Sequence, residues 1–222
     1  MTDNKFVPLR SYNKYSPSVM TERAASFRNN MQCRRSVREF SNEPVPREVI
    51  EDCILTAGSA PSGANRQPWH FVVVSDHKIK RRIREAAEKE EYDFYHGLAG
   101  DEWLKDLSQL ETNHEKPFLE EAPCLIVIFG QSWGVLENGD KKKHYYVSKS
   151  AGIATGMLIA AIHNAGLVCL PYTPSRMSFL RKLLGRGKNE KPFLVLVVGY
   201  PAEDAMVPAL EKKTLNLIST FL

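Results

Sequence analysis

Three guanidiniums and a hydroxyl fall within one short segment, Arg34-Arg35-Ser36-Val37-Arg38. Arginine presents a planar fork that grips phosphate through two parallel hydrogen bonds, and serine adds a neutral donor beside it. Taken alone, the segment reads more readily as a solvated basic patch. Further on, Ser59-Ala60-Pro61-Ser62-Gly63-Ala64-Asn65 is rich in turn formers and leads into Pro68-Trp69. A second group of polar side chains is more widely spread: the carboxylate of Glu91, the phenol of Tyr95 and the amine of Lys116. Glu91 and Tyr95 lie four apart and share a face wherever a helix runs through both. Each has a bland alternative, because a glutamate within Glu88-Lys89-Glu90-Glu91 and an isolated lysine are normally solvated. Thr173, in Pro171-Tyr172-Thr173-Pro174, is a turn residue as readily as a reactive one. Its hydroxyl can both donate and accept.

The order of these pieces is informative. Residues 34–42, 56–69 and 164–173, the apolar run ending at Val74, and Val198-Gly199-Tyr200-Pro201 resemble the iodotyrosine deiodinases of the nitroreductase superfamily. The likeness covers nearly everything from about residue 30 onward. It implies FMN held by Arg34, Arg35, Ser36, Val37 and Arg38, with Arg34 and Ser36 on the phosphate and Arg38 at the pyrimidine edge of the ring. A cation there stabilises a reduced, anionic flavin. The resemblance also implies that Pro61, Ser62 and Gly63 face the flavin of a partner subunit. Pro171, Tyr172 and Thr173 would lie beside the ring, with the Thr173 hydroxyl at N5 as the catalytic group, and Lys212 would reach the phosphate. For a halotyrosine substrate it assigns Glu91 to the ammonium, Tyr95 and Lys116 to the carboxylate, and the Ala64 N–H to the phenolate oxygen. The implied reaction converts 3-iodo-L-tyrosine and 3,5-diiodo-L-tyrosine to L-tyrosine and halide through one-electron steps. Electrons would come ultimately from NADPH through a separate reductase, since the chain has no dinucleotide fingerprint. At Pro171 and Tyr172 the chain departs from relatives, which tend to carry Thr or other polar residues.

The elements that must position these residues follow from periodicity and punctuation. A helix is expected from Val19 to about Cys33, after an extended arm over residues 1–17. Val45-Pro46 opens a second helix, with Val49, Ile50, Cys53, Ile54 and Ala57 at helical spacing. A strand follows over residues 70–74, then a charged helix capped by Asp76 and running to about Glu91. Residues 92–121 read as an active-site lid with a short helix around 103–110. Apolar strands are expected over 124–129, 167–170 and 193–198. Between the first two lies a helix over about 146–164, closed by Gly166. It is apolar nearly all round, so it should be buried on most faces, partly against a second subunit. Lys141-Lys142-Lys143 reads as a solvated turn. The apolar tail, about 208–222, is expected to wrap a partner. The class is α+β: one domain over 1–222, a nitroreductase-like fold with a central, mostly antiparallel sheet flanked by helices, in an intertwined homodimer.

Bulk properties narrow the field. A formal charge of +4 is slight for 222 residues, and no basic face with interleaved aromatics argues for nucleic acid. The longest uncharged apolar stretch, 151–162, falls short of the ~20 residues that span a membrane, and no apolar leader opens the chain. Cys33, Cys53, Cys124 and Cys169 show no CxxC pairing, and three lie in apolar runs, which suits a reducing, cytoplasmic setting. The histidines show no metal-ligand spacing, and neither a nucleophile elbow nor a Walker loop occurs. Two other readings stand beside the dehalogenase: a general FMN nitro or quinone reductase, and a non-catalytic halotyrosine-binding flavoprotein. An enzyme that cleaves flavin itself suits the fold but leaves Glu91, Tyr95 and Lys116 unexplained.

Overall fold

The computed structural model describes residues 6–98, 100–108 and 112–222. It divides into two compact units, Met1–Arg34 and Arg35–Leu222. The first contains α1 (Pro17–Gln32), which starts earlier than expected. Ser16 Oγ accepts from the Val19 N–H at 3.5 Å and Pro17 occupies the first turn, where its missing N–H leaves no bond unmade.

The second unit is organised around strands β1 (Trp69–Val74), β2 (Cys124–Gln131), β5 (Val168–Tyr172) and β6 (Glu190–Gly199), in the order β1-β2-β6-β5. Every neighbouring pair is antiparallel. β2 and β6 are central and rich in Val, Ile and Leu because both sheet faces are covered. On one face α2 (Arg47–Gly58) and α6 (Val147–Asn164) bury Ile50, Ala57, Leu158 and Ile162 against Ile126, Ile128 and Leu196. On the other, α3 (His77–Asp93), α5 (Phe118–Glu121) and α7 (Ser178–Leu183) bury Ile83, Ala87, Leu119 and Leu180 against Leu125, Val127 and Val195. Consecutive residues of β2 thus serve opposite cores, as the period of two requires. Each such aliphatic side chain contributes about 1.5–3 kcal/mol through burial.

The segment after Arg35 is stitched to this sheet. Ser36 forms a parallel bridge with Cys169, and Phe40 an antiparallel one with Pro201. Val37 N–H donates to Cys169 O at 3.3 Å, and Ser41 N–H to Tyr200 O at 3.0 Å. On the far side α3 runs into a π-helical turn (Phe94–Leu98), followed by α4 (Asp101–Ser108). The rest of the helix expected around 103–110 lies outside the described residues. α8 (Leu215–Ile218) sits in the tail, where Leu215, Leu217 and Ile218 are exposed.

Two local expectations are revised, and a third concerns a partner that the single chain does not include. Lys141-Lys142-Lys143 is not a turn but strand β4 (Lys141–Lys143), paired with β3 (Trp133–Val135). The turn lies just before it, where Gly139 takes φ 85°, a conformation that glycine adopts without steric cost. α2 begins at Arg47, with Pro46 as its cap rather than within its first turn. In the single chain α6 buries one face (Ala151, Ala154, Leu158, Ile162) and leaves Gly152, Ile153 and Gly156 open. Among the described residues no helix is long and apolar enough to cross a membrane.

Candidate functional site

α3 is seated on the sheet by Ile83 and Ala87, four residues apart, and Glu91 continues the same stripe. The register that buries two apolar side chains therefore carries a carboxylate into the interior, where Glu91 is 7% exposed. Tyr95 follows one turn later in the π-helical segment. The chain then returns through Lys116, whose N–H donates to Glu88 Oε1 at 2.8 Å, so α3 also fixes the return segment.

These side chains meet in a cavity of about 750 Å3 bounded by α3, α4, the return segment and the end of β5. Arg38, Glu91, Tyr95, Lys116, Pro171, Tyr172 and Thr173 all line it. Lys116 Nζ lies 3.6 Å from Glu91 Oε2 and 3.4 Å from Thr112 Oγ1, and it also donates to Asn113 O. The same ammonium stands 5.3 Å above the Tyr95 ring. The Tyr95 hydroxyl donates to Thr112 O at 3.3 Å. Ser175 N–H donates to Glu91 Oε1 at 3.3 Å. Tyr172 packs edge-on against Phe118, with ring centroids 5.5 Å apart, and its buried hydroxyl has no hydrogen-bond partner.

The electrostatics follow from burial. Loss of water lowers the Lys116 pKa, and the adjacent Glu91 carboxylate works against that shift. Burial likewise lowers Arg38 and raises Tyr95. Tyr172 is held far above the ordinary phenol range, by burial first and then by the negative charges of Glu91 and Glu88. A buried ion pair gives little net stability. At 3.6 Å this one is looser than a tight charged hydrogen bond. Both partners retain hydrogen-bonding capacity toward a ligand that carries both charges.

Other expected residues lie apart from this cavity. The Pro61-Ser62-Gly63-Ala64 loop is held by Ser62 Oγ, which accepts from Gln67 N–H at 2.9 Å. Ala64, Asn65 and Gln67 have φ of 50°, 51° and 47°. Such left-handed conformations are costly without glycine and gather at functional sites. A Cβ at Gly63 would come within 3.0 Å of Tyr146 Cδ2 and 3.2 Å of Tyr145 O, so a side chain there would make these neighbours shift. The Arg35 guanidinium donates to Pro208 O. Val37 is buried and Lys212 is exposed. Arg34 closes the first unit, its N–H donating to Met31 O at 3.2 Å. Thr112 and Ser175 were missed in the sequence. Both act largely through backbone groups, which side-chain types do not announce. Among the described residues no group of three His, Cys, Asp or Glu could hold a metal ion.

Comparison with known proteins agrees with this architecture. A family model described as "Nitroreductase family" matches residues 31–200. An iodotyrosine deiodinase of Haliscomenobacter hydrossis is 55% identical over 200 residues, covering 90% of this chain and 90% of the relative. The human iodotyrosine deiodinase 1 is 48% identical over 209 residues, covering 94% of this chain and 72% of its own. Among solved structures, an oxidised iodotyrosine deiodinase bound to FMN and 3-iodo-L-tyrosine aligns with a TM-score of 0.75 at 31% identity, covering 88% of this chain and 100% of that one. A BluB-like flavoprotein from Clostridium difficile shares the fold, with a TM-score of 0.68 at 22% identity over 88% of this chain and 98% of that one.

Proposed function

The chain belongs to the nitroreductase family and, within it, to the iodotyrosine deiodinases; from this premise we propose that it uses FMN to remove halogen reductively from 3-halotyrosines. The observation that carries the reading is the meeting of Glu91, Tyr95 and Lys116 in the cavity that also holds Arg38 and Thr173. An ammonium, a carboxylate and a phenol are the polar groups of a tyrosine. Reduction of nitro groups or quinones requires no buried acid–base pair.

The residues fit a flavin. Arg38 offers a guanidinium to the pyrimidine edge of the ring, where negative charge gathers on reduction, Thr173 is exposed and carries a hydroxyl, and the cavity lies within the ~300–1,000 Å3 typical of small-molecule sites. Ser36, on the bridge to Cys169, is assigned to the phosphate, and the proposal extends by sequence to Arg34, Arg35, Val37 and Lys212. When bound, FMN supplies the electrons. Glu91 accepts from the substrate ammonium, while Lys116 and Tyr95 hold its carboxylate. Anchoring the amino-acid end fixes the orientation of the aromatic ring, so that reaction proceeds from a single pose. Two electrons and one proton replace the carbon–halogen bond with carbon–hydrogen, and halide leaves. The Thr173 hydroxyl can give or take a hydrogen bond during these steps. The Ala64 N–H is assigned to the phenolate oxygen.

The Ala64 loop stands apart from the cavity of its own chain, so the proposal includes a homodimer in which Pro61, Ser62, Gly63 and Ala64 of one subunit serve the partner's site. The open stripe on α6 and the exposed tail of α8 suit such an interface. Residues 92–121 act as the lid, and a separate NADPH-dependent reductase supplies electrons. The decisive test is halide release from 3-iodo-L-tyrosine by FMN-loaded protein reduced anaerobically with dithionite. Stoichiometric iodide and tyrosine support the proposal; intact iodotyrosine over a fully reduced flavin sinks it and leaves a general nitroreductase.

A further inference from the structure

We infer that His114 is a positioning residue for substrate recognition: with Tyr92 and His96 it forms an aromatic clasp that holds Lys116 and Thr112 in register with Glu91 and Tyr95. The inference rests on the halotyrosine reading and deepens it. Two stretches of chain supply the polar end of the cavity. Residues 91–96 close α3 and enter the π-helical turn, and residues 112–116 form the return segment.

Two kinds of link join these stretches. The first lies in the cavity, where Lys116 Nζ stands 3.6 Å from Glu91 Oε2 and the Tyr95 hydroxyl donates to Thr112 O at 3.3 Å. The second is made by rings that do not line the cavity. His114 meets Tyr92 edge-on, with centroids 5.4 Å apart and planes at 88°, and meets His96 at 5.7 Å and 70°. Tyr92 and His96 stack on each other at 4.0 Å and 23°. The Nδ1 of His96 also lies 2.9 Å from Tyr92 O, which fixes that ring over its own helix turn.

The two kinds of link fare differently when a ligand arrives. Under the proposed function the substrate carboxylate engages Lys116 and Tyr95, and its ammonium engages Glu91. A phenol has one proton to donate, so Tyr95 releases Thr112 O when it turns to the carboxylate. The Lys116–Glu91 pair loosens as each charge finds its counterpart on the ligand. The links inside the cavity are therefore weakest in the bound state, when the spacing of the two stretches matters most. The clasp loses nothing to the ligand. Nor does the bond from Lys116 N–H to Glu88 Oε1 at 2.8 Å. That bond holds one point of the return segment, and His114, two residues earlier, holds a second, so together they set its direction. Of the three rings His114 alone belongs to the return segment, and it is half-buried whereas Tyr92 and His96 are exposed.

The measurement is equilibrium binding of 3-iodo-L-tyrosine to oxidised, FMN-loaded protein, followed by flavin fluorescence. His114→Ala removes both edge-on contacts and is expected to bind roughly 10-fold more weakly, the combined scale of two aromatic pairs. His114→Phe keeps a ring in their place and should stay within about 3-fold of wild type. In turnover the alanine loss should appear in KM rather than kcat. FMN affinity should be unchanged, since the clasp touches neither Arg38 nor Thr173, and thermal unfolding checks that each variant is folded. Unchanged binding in His114→Ala, a phenylalanine variant as weak as the alanine one, or an equal loss of FMN affinity overturns the inference. Iodide release by the wild type separates the two claims. Binding that depends on His114 without iodide release sinks the dehalogenase and keeps this role. A wild-type protein that does not bind iodotyrosine sinks both.

Discussion

Lys80 and Lys116 are both buried, at 5% and 3% exposure, and burial lowers the pKa of each. Their partners differ in kind. Lys80, near the start of α3, donates to Glu120 O at 2.9 Å and Ala122 O at 2.5 Å. Those are backbone carbonyls at the end of α5, which need donors wherever a helix stops. Lys116 is held partly by side chains, the carboxylate of Glu91 and the hydroxyl of Thr112, in an open cavity. A lysine that closes off backbone acceptors is a structural brace. One that faces movable groups across a cavity can exchange them for a ligand. Under the proposed function, the same residue type at the same burial thus serves folding in one place and recognition in the other.

The largest expected effect tests that division directly. Lys116→Met should lower kcat/KM for 3-iodo-L-tyrosine by roughly 10²–10³-fold, the scale for truncating one partner of a buried charged contact. Lys80→Met should leave it within about 3-fold, as measured by steady-state iodide release. Comparable losses in both would erase the distinction. Stability should divide the other way. Lys80→Met strands two carbonyls and should cost about 2–3 kcal/mol in chemical unfolding. Removing both pocket charges with Glu91→Gln/Lys116→Met should change stability by only about 1 kcal/mol, because neutral side chains often replace a buried pair without loss. A double variant as damaged as Lys80→Met would make Lys116 a brace as well.

A pH series sharpens the contrast further. Lys116 must be protonated to hold a carboxylate, and its pKa lies below the ordinary 10.5. Halotyrosine affinity should therefore fall as pH rises through that lowered value. In Lys116→Arg, which stays charged, the fall should be delayed when titrated with the same ligand. Folding responds with the opposite sign. The folded protein binds the protons of both lysines less tightly than the unfolded chain does. Burying their charged forms thus costs stability at neutral pH, and the cost is relieved as pH climbs through the lowered values toward 10.5. The smallest expected change lies away from both lysines. Gly63→Ala, with its Cβ 3.0 Å from Tyr146, should cost about 1 kcal/mol in unfolding; a neutral result would mean that the Tyr146 ring gives way.

Sequence reasoning succeeded where one residue type has one physical use. Asp76 caps α3, its Oδ1 accepting from Ile79 N–H at 2.9 Å, and the apolar runs became the strands of an antiparallel sheet. The gathering of Glu91, Tyr95 and Lys116 in one cavity was legible only as a resemblance, since periodicity alone left Glu91 among solvated glutamates. It took the Ile83-Ala87-Glu91 stripe of the folded helix to turn that carboxylate inward. β4 was hidden because three exposed lysines carry no strand signal, and their pairing with β3 depends on a turn outside them. Lys80 escaped notice among the charges of α3. Its partners are carbonyls some forty residues distant, made available by where α5 ends. The unmet Tyr172 hydroxyl was equally hidden, being a property of packing on several elements at once.

The bridge between Ser36 and Cys169 gives the site a fixed measure. From Cys169 the strand runs to Tyr172, with Thr173 next in line, a distance of about 13 Å at ~3.3 Å per residue. The residue assigned to the phosphate and the hydroxyl assigned to the flavin ring thus stand at two ends of one stiff rod. Under the proposed assignments the two contacts are tied to one strand, which sets their spacing before any cofactor arrives.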